Sequence, residues 1–363
     1  MPTRQLLIAL LTSLFISPCL SCVAQNQQPN GPSPQTPSPT QSPPVKQRMT
    51  FTVKYSPVFS GNTRQTVPAI IGTFPNHRQA RFVIDTGTDA IVVSEKLTKD
   101  LGLSPMPFEN LPANALTVDG NSLKQVTLPD LSTDAATSSS PFPNALAFQH
   151  MNFNGQAAVI PQRHWGFFET DGLLGTSILM KVGAILFDGP KQELTFVFGG
   201  NATTAEREYL GFSSAAVSIE LTAVSTSNTG LFTVPITLDN NGVFEQVTVM
   251  LDTGSNITTI PRATALALGL ESISSSISRG VGGTVTMVAA PVQSMKIGGL
   301  TLHNILVSFS GKDKQGTAIA AAKGGVENTL GMDILAGYRV LIDLPARRMY
   351  LMPEQPEVKI VPK

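Results

Sequence analysis

Two carboxylates stand in near-identical settings, Asp85-Thr86-Gly87-Thr88 and Asp252-Thr253-Gly254-Ser255, at an offset of 167 residues. A lone Asp-Thr-Gly carries little, because average composition places about a tenth of a copy by chance in a chain this long. Here each copy directly follows an apolar run, Arg81-Phe82-Val83-Ile84 in one case and Val247-Thr248-Val249-Met250-Leu251 in the other. That pattern predicts a strand ending in a tight turn that bears an acid. Related units can bring their equivalent acids together, and two carboxyls about 3 Å apart do not both ionise. One keeps its proton. Such a pair can hold a water between them, one carboxylate acting as general base on it and the other as general acid toward a carbonyl. The chemistry is amide hydrolysis, and it needs neither a metal nor a cofactor.

The elements that must position the two acids are also written twice. At the same offset Thr66-Val67-Pro68 recurs as Thr233-Val234-Pro235, Gln79 as Gln246, and Leu101-Gly102-Leu103 as Leu268-Gly269-Leu270. After a region of different length, Leu174-Gly175 corresponds to Leu330-Gly331 and Ile178-Leu179 to Ile334-Leu335. Self-similarity of this kind predicts one domain plan used twice, over 48–208 and 209–363. Behind each turn comes a second apolar run, Ala90 to Val93 or Ile257 to Ile260, and then a short helix. Ser94 is the expected N-cap and Gly102 the stop of the first helix; Pro261 in the first turn and Gly269 as the stop bound the second. The rest reads as short β runs punctuated by Gly, Asn and Pro.

These motifs resemble those of aspartic proteases, and the retropepsin-like bacterial type more than pepsin itself, across most of residues 50–353. The matching features are the two Asp-Thr-Gly turns, Leu173-Leu174-Gly175, the stretch Leu330-Gly331-Met332-Asp333-Ile334-Leu335, and closing strands around Ile185–Asp188 and Leu341–Asp343. Thr329 departs from the pattern, where an apolar residue is expected. The resemblance implies a mainly β fold of two homologous barrel-like lobes with short helices. It implies Asp85 and Asp252 as the catalytic pair, Thr86 and Thr253 as a cross-brace, and Gly87 and Gly254 as residues that let the turns tighten. The hydroxyls of Thr88 and Ser255 are expected on the outer carboxylate oxygens. Flaps are expected at Val118-Asp119-Gly120-Asn121, where Asp-Gly suits a hairpin turn, and at Arg279-Gly280-Val281-Gly282-Gly283. Asp171, Asp188, Asp333 and Asp343 are expected as turn or surface carboxylates, and Asp89 and Asn256 as local hydrogen-bonding groups.

Composition narrows the alternatives. The chain has 363 residues with 25 basic and 25 acidic side chains and 14% charged residues, a balance that argues against nucleic acid as partner. With 42% hydrophobic residues, 30 glycines and 27 prolines, it reads as globular and turn-rich. Both cysteines, Cys19 and Cys22, precede the body, which excludes disulfide, thiolate-metal and cysteine-nucleophile chemistry there. The histidines His77, His150, His164 and His303 show no metal-ligand spacing, and there is no G-x-S-x-G elbow. Trp165 reads as core or as a wall of the substrate cleft, and Gly311 to Gly325 as an insertion.

At the N-terminus, Leu6 to Ile16 is an uncharged, largely apolar run behind Arg4, as in an export signal over 1–24. Cleavage after Ala24 and lipidation of Cys22 are both open. Residues 25–47, rich in Pro, Gln and Ser, read as a tether. The expectation is an exported monomer, periplasmic or in the cell envelope when lipid-anchored and otherwise secreted, that meets a membrane only through the anchor and takes extended polypeptide as substrate. Two other readings stay open: a tethered peptide-binding protein without turnover, and a dimer of whole chains that uses one motif per site.

Overall fold

The computed structural model describes residues 48–353, except 52–56, 61–62, 108–116, 119–120, 123, 135–149, 162–169, 198–199, 213–215, 225–229, 281–282 and 312–327. The expected signal, the tether, Cys22, Asp119, Gly120, Trp165, Val281, Gly282 and nearly all of the insertion after Gly311 lie outside the described residues. The chain is mainly β, with helices of four to seven residues.

In the first half, strands Gln79–Ile84 and Ala69–Thr73 pair antiparallel, while Gly172–Leu174 runs parallel to the former and antiparallel to Ile91–Ser94. His150–Ile160 then lies parallel to Ile91–Ser94 and antiparallel to Lys124–Asp134, and Lys124–Asp134 meets Ala69–Thr73 at Ser132 and Thr73. The strand order therefore returns on itself and closes a barrel. In Gln79–Ile84, Phe82, Val83 and Ile84 are all buried, as expected of a strand with neighbours on both sides.

The second half repeats the ring. Phe232–Asn240 pairs with Val243–Leu251 and with Gly283–Ile297, which pairs with Leu300–Ser310. Thr329–Leu330 runs parallel to Val243–Leu251 at Met250 and Leu251. What was a full strand at Ile91–Ser94 is here reduced to bridges at Thr259, to Ser308 on one side and Thr329 on the other. Those bridges complete the circuit. Phe232–Asn240 shows the expected alternation, with Phe232, Val234, Ile236 and Leu238 buried.

A third sheet joins the halves in the order Arg48–Phe51, Glu193–Val197, Ala184–Asp188, Tyr338–Asp343, Arg348–Pro353, Val217–Glu220. Its central contact is the antiparallel pair Ala184–Asp188 with Tyr338–Asp343. All five residues of Ala184–Asp188 are buried because the sheet is covered on both faces. Ile185 and Phe187 enter the main core that runs through both barrels, whereas Ala184 and Leu186 pack with Phe212, Leu341 and Tyr350 in a smaller core. Burying one such apolar side chain is worth about 1.5–3 kcal/mol.

The helix ends follow local chemistry. Ser94 Oγ accepts the Leu97 N–H at 3.1 Å to open Glu95–Asp100. Gly102 and Gly269 close the two equivalent helices at φ +67° and +64°, a conformation that other residues adopt only with strain. Pro261 stands one position earlier than expected, at the N-cap of Arg262–Ala267 with ψ 138°, because its carbonyl accepts the first helical N–H, from Ala265. Asp188 and Asp343 are turn carboxylates as expected, accepting the N–H groups of Lys191 and Ala346 three residues on, but both are buried rather than on the surface. Arg339 Nε donates to Asp188 at 2.9 Å, and Asp343 accepts the N–H groups of Ala202 and Ala346.

Candidate active site

Each Asp-Thr-Gly turn hangs from its barrel by a backbone bond. The N–H of Asp85 donates to Leu174 O at 3.0 Å and that of Asp252 to Leu330 O at 3.1 Å, so each acid leaves its strand beside the apolar-Gly segment of its own half. The two turns then meet. Thr86 N–H donates to Thr253 Oγ1 and Thr253 N–H to Thr86 Oγ1, both at 3.1 Å. Each hydroxyl passes its own proton across the junction, Thr86 to Leu251 O at 2.9 Å and Thr253 to Ile84 O at 2.7 Å. Both threonines are buried, at 1% and 0% exposure, so the four bonds are shielded from competing water.

Above this brace each glycine faces the opposite acid. A methyl on Gly87 would overlap the Asp252 carboxylate, with Oδ2 at 2.8 Å, and one on Gly254 would lie 2.6 and 2.7 Å from the two Asp85 oxygens. Only glycine allows that approach. The acids themselves are hydrogen-bonded to each other. Gly87 N–H donates to Asp85 Oδ1 at 2.8 Å, and Gly254 and Ser255 N–H both donate to Asp252 Oδ1 at 3.0 Å.

Burial pushes both carboxyls up, because the charged form loses its water. The N–H groups of Gly87, Thr88 and Gly254 restrain the rise at Asp85. Asp252 stands well above the ordinary carboxylate range, through burial first and then the charge of Asp85. Two buried carboxyls packed against each other share one proton between them. Like charges held this close titrate as a unit.

The expected hydroxyl contacts of Thr88 and Ser255 are corrected in part. Ser255 reaches its acid through its backbone N–H, while its hydroxyl donates to Ile257 O at 2.9 Å, two residues along the same turn. Thr88 likewise acts on Asp85 through its N–H. A short hydroxyl finds a nearby carbonyl more readily than the far side of a carboxylate. Thr329, the departure from the family pattern, is buried at no cost in unmet bonds: its hydroxyl pairs with Thr259 Oγ1 at 3.0 Å.

The two segments read as flaps are hairpins. Thr117–Val118 pairs with Asn121–Ser122 through Val118 and Asn121, and Ser274–Gly280 pairs with Gly283–Ile297 up to Gly280 and Gly283. Residues 119–120 and 281–282, between the paired strands, lie outside the described residues. The third acid, Asp333, is exposed as expected of a turn or surface carboxylate, but it also contacts the segment that follows the second Asp-Thr-Gly turn. Its carboxylate accepts Thr258 N–H at 2.8 Å and Thr258 Oγ1–H at 2.7 Å. The available signal for that contact was that Thr258 and Asp333 replace Ile91 and Ser177 of the first half. His77 and His303 are exposed.

Residues 234–334 match a family model described as aspartyl protease, so the second half contains an aspartyl protease-like domain. No curated protein matches the chain. Among solved structures, the chain is similar to basic 7S globulin from soybean, at 11% identity over 85% of this chain and 95% of that one with a TM-score of 0.46. It is similar as well to conglutin gamma, a basic 7S globulin from lupine seeds, at 10% identity over 86% and 96% with a TM-score of 0.46.

Proposed function

We propose that the chain is an aspartic endopeptidase that hydrolyses peptide bonds in extended polypeptides with water held between Asp85 and Asp252. The observation that carries this reading is the meeting of the two acids, each raised by burial and with the other turn's glycine against it. The ionised carboxylate of the pair takes a proton from the water as the water's oxygen attacks the carbonyl carbon. The protonated one donates its proton toward the carbonyl oxygen. Collapse of the tetrahedral intermediate breaks the C–N bond, and the amine leaves with a proton from the dyad. One acid and one amine result, and the pair returns to its singly protonated state.

The geometry serves this chemistry by preorganisation. Four buried threonine bonds fix the separation of the acids before substrate arrives, so orientation is built in rather than acquired in the reaction. Hairpins 117–122 and 274–297 would close over the substrate and exclude water. We extend the proposal to an exported monomer, released after Ala24 or held by lipid on Cys22. The test is incubation of the purified chain with an unfolded protein, products being read by mass spectrometry. New termini inside the substrate are expected. Peptide bound without any product would leave the fold with a capture role and overturn the enzymatic reading.

A further inference from the structure

The two acids are each backed by a clasp from their own half. Behind Asp85, Thr176 N–H donates to Thr88 O at 2.9 Å, Ser177 N–H to Asp89 O at 3.0 Å, and Thr176 Oγ1 to Thr88 O at 3.3 Å. Behind Asp252 the carboxylate of Asp333 takes part. Met332 N–H donates to Ser255 O at 2.8 Å, and Gly331 N–H to Thr258 Oγ1 at 3.1 Å. Thr258 in turn gives both its N–H and its hydroxyl proton to the two oxygens of Asp333, whose Oδ1 also accepts Ile334 N–H at 3.0 Å. Thr258 has no exposed surface, so its hydroxyl is fully committed between Gly331 and Asp333.

The chain of contacts leads straight to the dyad. Gly331 follows Leu330, whose carbonyl takes the Asp252 N–H, and an added methyl on Gly331 would overlap the Ile257 backbone. The segments 255–258 and 330–334 are therefore packed backbone on backbone, with the Asp333 carboxylate as the acceptor that ties them. We propose that Asp333, acting through Thr258 as a latch, is a positioning residue for Asp252. The proposal rests on the enzymatic reading above only for its kinetic consequence; the geometric claim stands apart from it.

Asparagine at 333 is the sharpest test, since it keeps size but sets an NH2 against either the N–H or the hydroxyl proton of Thr258. In the full chain, Asp333→Asn is expected to lower kcat about tenfold, as for a small misplacement of a reacting group, with KM within about twofold. The control is Gly299→Ala, where an added methyl meets nothing nearer than 3.9 Å, expected to leave kcat unchanged. Carboxyl NMR of the same variants gives a readout independent of turnover. The Asp252 resonance, identified by its loss in Asp252→Asn, is expected to titrate higher in Asp333→Asn by about half a unit or more, because the Gly254 and Ser255 N–H donors loosen. A purely structural role would lower stability and leave that titration where it is. Unchanged kcat in a folded, active background would overturn the latch while the enzymatic reading survives. If the wild-type chain has no activity, that reading fails, and the Asp252 titration alone decides the latch.

Discussion

The threonine brace gives the most quantitative prediction. Thr86→Val keeps shape and removes one hydroxyl, which strands two groups: the Thr253 N–H and the Leu251 carbonyl, both at residues with 0% exposure. Each buried polar group left unmatched costs about 1–3 kcal/mol, and the extra methyl returns about 0.8 kcal/mol. The net loss is then about 1–5 kcal/mol, a large share of the 5–15 kcal/mol typical of a folded domain. In a thermal scan, at roughly 2 °C per kcal/mol for a chain of this size, that corresponds to a fall of roughly 2–10 °C. Thr86→Ser retains the oxygen and is expected to stay within about 1 kcal/mol of wild type. Urea unfolding at fixed pH checks both, with constant slope required before the midpoints are compared. Thr253→Val strands a separate pair, the Thr86 N–H and the Ile84 carbonyl. The double variant is expected to cost less than the sum of the singles, because the first opening already admits water to the second hydroxyl's partners. A loss below about 1 kcal/mol for Thr86→Val, or serine no better than valine, would refute the claim that the brace holds the junction.

Other consequences follow from the same geometry. Both acids are raised by burial, so the native state binds their proton more tightly than the unfolded chain; the stability this contributes is complete below the ordinary aspartate range and is lost as pH rises through the raised values. Asp252→Asn copies the protonated form, its NH2 facing Asp85, and the Tm of this variant relative to wild type is expected to climb from acid to neutral pH; a flat difference across that range would contradict the shared proton. Gly254→Ala drives a methyl into the Asp85 carboxylate and is expected to lower kcat/KM by about a hundredfold. Gly299→Ala, with nothing nearer than 3.9 Å, should leave kcat/KM intact. Arg339→Ala deprives the buried Asp188 of its nearest cation and frees the Leu210 carbonyl and the Phe212 ring, for an expected loss of about 3 kcal/mol in urea unfolding.

Much of this architecture was legible in the chain. The offset of 167 residues that aligns the two Asp-Thr-Gly turns is the sequence separation of the threonines that brace each other. Apolar runs before each turn and glycine stops after each short helix lie where local propensity dictates. What stayed hidden depends on contacts that no period encodes. The run Ile257–Ile260 reads as a strand like its counterpart, yet it forms only bridges, because Thr258 and Thr259 turn their polar groups sideways to Asp333 and Thr329. Likewise, the burial of Ala184–Asp188 on both faces follows from its pairing with Tyr338–Asp343 of the other half, a partner that alternation within one strand cannot name. The Ser255 hydroxyl illustrates a third limit: a motif supplies a donor, but local geometry chooses the acceptor.

If one carboxylate from each half makes a single catalytic site, hydrolysis of an unfolded protein by folded Asp85→Asn and folded Asp252→Asn beside the wild type measures it most directly. Loss of turnover is expected in both variants, each retaining a cooperative thermal transition, because neither acid alone can supply both the base and the shared proton. Wild-type rates persisting in either variant would contradict it.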